Sequence, residues 1–419
     1  MNSPHRVVLL GLVLGVSLIQ MLLPPPSQAA GQGVDVASAF ESALAIDPEL
    51  QAAEKRIEAA NFAASAARAI TPEPLSIEGS YRTDKSFDNQ GLREVELGVV
   101  APVWLWGERK ASRNLRNAEL QTLELKLQTQ KLALAAQVRQ AYWGAIAAHL
   151  DVEIAQARLV GTKRLMDDVD KRVAAGDLAK VDLLQATALH AQAKAEFGTA
   201  LSNVSQLAAH FTGLTGLPAS VLGQPRPESI DTVHTEFDAA THPDLAHAQV
   251  AFTTAQRGRE LAGIQSRPNP EVGLSIVSDR GAFAAPEEKS LMLGTRIPLG
   301  SSAKHKNRVL TAQADELTAQ AQVNKLERSL NARAQAAASS LKLFEELQAS
   351  AEERASAAQE AYSLYQRSFE LGETDLPTLL RFEQQAHEAQ RLARKAKSEH
   401  AAKVSDYKQA LGLLPEKAQ

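Results

Sequence analysis

The chain is written twice. Pro72 is matched by Pro268, Pro102 by Pro298, Gly176 by Gly372 and Leu183-Leu184 by Leu379-Leu380, and each pair is 196 residues apart. Asp47-Pro48-Glu49-Leu50 matches His242-Pro243-Asp244-Leu245 at an offset of 195. An offset held constant over most of each half marks duplication of one structural unit. The two copies are expected at residues 31–224 and 225–419.

Each copy reads in the same order. A short helix comes first, Val36 to Ala69 and then Asp238 to Ser266. Two strand-like segments with period-two alternation follow. In the first copy Leu75, Ile77, Gly79 and Tyr81 form one series, and Val95, Leu97, Val99 and Ala101 the next. In the second copy the series are Val272, Leu274 and Ile276, then Leu291, Leu293, Ile297 and Leu299, with Arg296 on the opposite side of that last strand. Hairpins are therefore expected over 75–103 and 271–299, with polar loops Arg82 to Glu94 and Ser278 to Lys289 supplying turn residues.

After each hairpin comes a long helical stretch. Gly107 to Arg172 holds no proline, and at 1.5 Å per residue it spans roughly 100 Å. Val138, Tyr142, Ala145, Val152 and Leu159 fall on one heptad stripe, and Trp143, Ile146, Leu150 and Ile154 form a second beside it. In the second copy Ala358, Tyr362, Tyr365, Phe369 and Gly372 keep 4-3-4-3 spacing. A helix with two stripes can sit between two neighbours in a cylinder wall.

The first 30 residues are set apart as a secretory signal peptide: His5 and Arg6, the apolar run Val7 to Leu23, Pro24-Pro25-Pro26, then small residues for cleavage. Cysteine is absent, so neither disulfides nor a lipid anchor at the mature N-terminus are expected. The net charge of −4 argues against nucleic acid as a partner. No other segment is apolar enough for a spanning helix, so a membrane crossing would have to be a β-barrel.

Four strands cannot close such a barrel, since the smallest natural ones need about eight. An open sheet in lipid would leave two unpaired edges. The strands must then be shared among copies: two give a filled interior, three give twelve strands and room for a channel. The rival reading is a soluble hairpin layer.

These features resemble the TolC family of outer-membrane efflux proteins. The carriers are the duplicated hairpin-and-long-helix unit, Arg267-Pro268-Asn269-Pro270, the strand exits Ala101-Pro102-Val103-Trp104-Leu105-Trp106-Gly107 and Arg296-Ile297-Pro298-Leu299-Gly300, and the tips Arg172-Val173-Ala174-Ala175-Gly176 and Phe369-Glu370-Leu371-Gly372. The resemblance implies a mainly α fold with a small β part. Internally duplicated coiled-coil helices form a periplasmic α-barrel, and four strands per chain join a homotrimeric twelve-stranded β-barrel in outer-membrane lipid. It implies a passive exit duct, not an enzyme, docking on a periplasmic adaptor (membrane fusion) protein and a proton-driven inner-membrane pump. Gly107-Glu108-Arg109-Lys110-Ala111-Ser112-Arg113 is similar to the heavy-metal branch, the outer components of cobalt-zinc-cadmium type exporters, which implies metal cations as cargo. A duct for drugs or organic solutes is the alternative, and a periplasmic coiled-coil scaffold protein the alternative from another class.

Gly176 and Gly372 stand where one long helix turns into the next, as glycine permits, with tips expected over 172–182 and 367–380. Asp182 and Pro377 suit the starts of the returning helices. The resemblance further implies that Arg172, Ala175, Gly176, Asp177, Leu178, Leu371, Gly372, Glu373 and Leu376 meet the adaptor. It also implies that Asp182 narrows the periplasmic mouth; its counterparts Thr378 and Arg381 are not acidic. The ten histidines are scattered and show no helix-borne pairing with a carboxylate that would make a metal site. They are expected to be solvated or core positions. No nucleophile elbow, phosphate loop or cofactor motif is present.

Overall fold

A computed structural model describes residues 33–222, 226–229 and 237–416. The expected signal peptide and the expected boundary between the copies lie outside these residues. The described order is α1 (Val36–Ile46), α2 (Pro48–Ala66), β1 (Ser76–Thr83), β2 (Arg93–Pro102), α3 (Glu108–Ala175), α4 (Lys180–Thr215), α5 (Pro243–Ile264), β3 (Glu271–Arg280), β4 (Glu288–Arg296), α6 (Ser302–Glu370) and α7 (Leu376–Ala410).

The single opening helix expected over Val36 to Ala69 is two. Proline disfavours a helical residue before it, and the carboxylate of Asp47 caps the new helix, accepting from Glu49 N (2.8 Å) and Leu50 N (2.9 Å). The second copy breaks at the matching place, where α5 begins at Pro243 rather than Asp238. There His242 Nδ1 accepts from Asp244 N at 3.1 Å.

The strands form one antiparallel sheet in the order β1-β2-β3-β4. Its register puts Ile77, Val99, Leu274 and Leu293 in one cross-sheet row, and Gly79, Leu97, Ile276 and Leu291 in the next. The apolar members of these rows are exposed, from 47% at Val99 to 78% at Ile77. Among the described residues no element covers this face. β4 stops at Arg296, so Ile297 and Leu299 lie beyond the sheet. Among the described residues, the outer edges of β1 and β4 have no partner strand.

The long helices run 68 residues in α3 and 69 in α6. Both α3 stripes are buried where the chain is thickest. Val138, Tyr142 and Ala145 are at most 2% exposed, and Trp143, Ile146 and Ile154 at most 8%. All of these but Ile154 pack with Phe40 and Phe211 into the main core. A polar clamp closes that core. Arg139 is paired twice with Glu228 (2.9 Å each) and donates to Gln409 Oε1 and Leu413 O, while Trp143 Nε1 donates to Ser405 Oγ at 2.8 Å. The clamp ties α3, the 226–229 segment and the C-terminal end together. Helix α6 is different: only Leu330, Ala334 and Phe369 are buried, and Leu310, Leu317, Leu343, Leu347 and Leu364 are exposed.

Candidate docking tips, duct wall and junction

Both tips close in the same way. Gly176 (φ +89°) and Gly372 (φ +79°) take the left-handed conformation. Gly176 N donates to Val173 O and Asp177 N to Arg172 O; in the second tip Gly372 N donates to Phe369 O and Glu373 N to Ser368 O. These satisfy the last carbonyls of α3 and α6. An added Cβ would meet nothing at either glycine, so backbone conformation alone demands the residue.

The expected tip residues divide into two sets. Ala175, Gly176, Asp177, Leu371, Gly372 and Glu373 are exposed. Arg172 and Leu178 are half-buried and Leu376 is buried, in a small core of Val169, Ala186, Phe369 and Leu379. The first set can meet a partner; the second holds the two tips together. Asp182 Oδ2 accepts from Ala179 N at 3.0 Å, which commits one carboxylate oxygen to the start of its own helix. Asp375 does the same for α7, accepting from Thr378 N at 3.2 Å. Hydrogen bonds from the Thr378 side chain and from its backbone N hold the Asp375 carboxyl below the usual carboxylate range. Sequence reasoning missed Asp375, although Asp-Leu-Pro is a helix-start signature. It also missed the stacking of Tyr365 on Phe382, with centroids 3.9 Å apart.

One histidine departs from expectation. His149 Nε2 lies 3.8 Å from Glu153 Oε1, four residues on along α3. Both side chains are exposed, and among the described residues no group of three or more His, Cys, Asp or Glu could hold a metal ion. His242 is a core residue, and its burial pushes its pKa down.

Further up the barrel a buried guanidinium joins three helices. Arg158 of α3 donates to Glu196 of α4 at 2.6 Å and lies 3.6 Å from Glu383 of α7. Burial pushes the Glu383 carboxyl up despite Arg158. Burial acts on Glu196 too, but its hydrogen bonds from Gln192 and Arg158 outweigh it and hold that carboxyl down.

The sheet face opposite the apolar rows carries Glu78, Glu94, Glu96, Glu271, Asp279 and Glu288 against two basic residues, Arg82 and Arg296. Arg82 lies 3.6 Å from Glu94 and Arg296 3.4 Å from Glu271. Glu96 accepts from Ser80 and Ser275.

Sheet and helices meet at Glu108, which is 2% exposed. Its carboxylate accepts from Leu105 N (3.0 Å), Gln265 Nε2 (2.8 Å) and Asn269 Nδ2 (2.8 Å). Arg109 Nη2 donates to Arg68 O at 2.7 Å. The Gly107–Arg113 segment therefore fastens α3 to the ends of α2 and α5.

The molecule thus combines an antiparallel sheet, apolar on one face and acidic on the other, with helices about 100 Å long. Residues 39–217 match the model of the outer membrane efflux protein family. The fold is similar to the outer membrane protein VceC of Vibrio cholerae (TM-score 0.76, 18% identity, 91% of this chain and 97% of that one). It is also similar to CusC (TM-score 0.75, 15% identity, 91% and 93%) and the MtrE outer membrane channel of Neisseria gonorrhoeae (TM-score 0.72, 17% identity, 92% and 91%). The pyoverdine export outer membrane protein OpmQ of Pseudomonas putida is 25% identical over 220 residues, 51% of this chain and 45% of that protein. The chain thus matches about half the length of that curated relative. Over residues 39–217 the chain is similar to the outer membrane efflux protein family, and its fold is that of these solved channels.

Proposed function

We propose that this protein is the outer-membrane exit duct of a tripartite efflux system, a homotrimer whose four-stranded sheets close one twelve-stranded barrel and whose helices continue it into the periplasm. The observation that carries this reading is the sheet: exposed aliphatic rows on one face, carboxylates on the other, and two free edges. Hydrocarbon tolerates the first, a water-filled lumen the second, and neighbouring copies would remove the third. The exposed leucines of α6 give the helical part a matching reason to associate. The signal peptide over residues 1–30 and the duplicated units at 31–224 and 225–419 belong to the same reading.

The duct is passive and works with a periplasmic adaptor and an energised inner-membrane pump. The adaptor meets the exposed tip set, Ala175, Gly176, Asp177, Leu371, Gly372 and Glu373, while Arg172, Leu178 and Leu376 hold that surface in shape. Asp182, repeated around the axis, contributes negative charge at the periplasmic mouth.

For cargo, the similarity of the Gly107–Arg113 segment to the heavy-metal branch supports metal cations, and Glu108 and Arg109 within it also join sheet to helices. The acidic lumen face supports cations as the favoured passengers; the relative named for pyoverdine export supports an organic solute. The whole reading is tested by purifying the full chain from outer membranes. Expected are a trimer that dissociates to monomer only on heating and ohmic channels in planar bilayers. A detergent-free soluble monomer would overturn it. Exposing a deletion strain to divalent metals and to organic toxicants then separates the two cargo classes.

A further inference from the structure

We infer that the junction between sheet and helices is a binding collar for anionic phospholipid headgroups. The inference rests on the barrel reading proposed above. Where the chain enters and leaves the sheet it exposes Trp106 (99%), Leu299 (91%) and Ile70 (85%), a group of large apolar side chains at the helix end of the sheet. An indole at such a boundary suits the membrane interface, where one end of the ring is dry and the other wet.

Directly beside this group basic residues predominate, with exposed Glu73 the one acid between α2 and β1. After buried Glu108 no acid appears until Glu119, and Arg109, Lys110, Arg113 and Arg116 fall between. From Lys289 to Ala314 there is no acid at all, and Lys304, Lys306 and Arg308 open α6. Cations in the first turns of a helix oppose its dipole, so helix stability does not explain them, and both copies break the rule. Some are consumed structurally: Arg109 donates to Arg68 O, Arg116 pairs with Glu119, and Arg308 donates to Gln265 O. The side chains of Arg68, Lys110, Arg113, Arg267, Lys304 and Lys306 are exposed and form no ion pair among the described residues. The α2 and α5 ends are drawn into the same ring. Arg109 reaches the one, and Gly300 lets the Ser266 carbonyl and Arg267 approach on the other, where a Cβ would fall 2.4 Å from Ser266 O. Six unpaired cations against an exposed aromatic and aliphatic layer match a phosphate headgroup above its acyl chains.

The test uses the full-length trimer reconstituted with phosphatidylcholine or phosphatidylglycerol brominated in the acyl chains, read by tryptophan quenching. Trp104 and Trp106 are near the junction, whereas Trp143 lies about 50 Å along α3, out of reach. Expected is quenching by both lipids, with phosphatidylglycerol favoured about threefold. The preference should vanish in Lys110→Gln/Arg113→Gln/Lys304→Gln/Lys306→Gln and persist in Lys110→Arg/Lys304→Arg/Lys306→Arg. Equal quenching of the wild type by the two lipids overturns the collar and leaves the barrel standing. So does a preference that survives molar salt or the neutral variant. Absence of quenching by either lipid overturns the barrel reading itself.

Discussion

The guanidinium carbon of Arg172 stands 4.7 Å from the centroid of the Phe369 ring, and its Nη1 donates to the Phe369 carbonyl at 3.2 Å. One residue of the first tip thereby grips the last buried residue of α6. Asp168 holds the same guanidinium from the side at 3.1 Å. Arg172→Ala should release the tips from one another at a cost of about 1 kcal/mol. Hydrogen exchange at the ends of α3 and α6 is expected to accelerate roughly fivefold, with the heat stability of the assembly unchanged. Unaltered exchange there would show that the small core alone holds the tips.

Asp182 carries two roles that can be separated by chemistry. Asp182→Asn keeps an acceptor for Ala179 N but removes the charge; Asp182→Ala removes both and should cost about 1 kcal/mol at the start of α4. Reversal potentials across a salt gradient should shift toward lower cation preference in both variants. If neither shifts, Asp182 is a helix cap and no more.

Glu108→Ala would strand one backbone and two side-chain donors in a buried place, at about 3 kcal/mol. The trimer should then dissociate at a clearly lower temperature on heated gels. Glu108→Gln keeps the shape but offers a donor where acceptors are needed, so it should recover little.

Two buried carboxylates should give opposite pH signatures. Burial pushes Glu228 up, but the hydrogen bond and charge of Arg139 win and leave its pKa lowered. Its stabilisation is thus present above the ordinary carboxylate range and lost as pH falls through the depressed value. Glu228→Ala, which leaves Arg139 buried and unpaired, should cost about 3 kcal/mol at neutral pH. Glu383 is raised by burial, so its ionisation opposes folding as pH climbs from the ordinary value through the raised one. Glu383→Gln should stabilise at neutral pH and do nothing in acid. Unfolding midpoints at pH 4 and pH 7 check both signs.

Period carried much of the fold in the sequence. Alternation located all four strands and their apolar face, and the long proline-free stretch located α3 to within a few residues. The break at Asp47-Pro48 was written there too, as a cap followed by a first-turn proline, but the alanine-rich run around it masked the stop. What could not be read was pairing at a distance. Glu108 with Gln265, Arg139 with Glu228, and Arg172 with Phe369 join residues 157, 89 and 197 positions apart. A single sequence has no periodicity that reports such contacts. For the same reason the sequence did not show that Glu108, just after the first hairpin, is buried at the junction of sheet and helices.

The bare flanks of β1 and β4 carry a genetic consequence. A stave that cannot seal its neighbour ruins every ring that incorporates it, so a defective allele should poison a healthy one rather than merely fail beside it. With both made equally, only about one ring in eight would draw three sound subunits under random threefold assembly. Bacteria carrying the two alleles together should lose far more than half of their export.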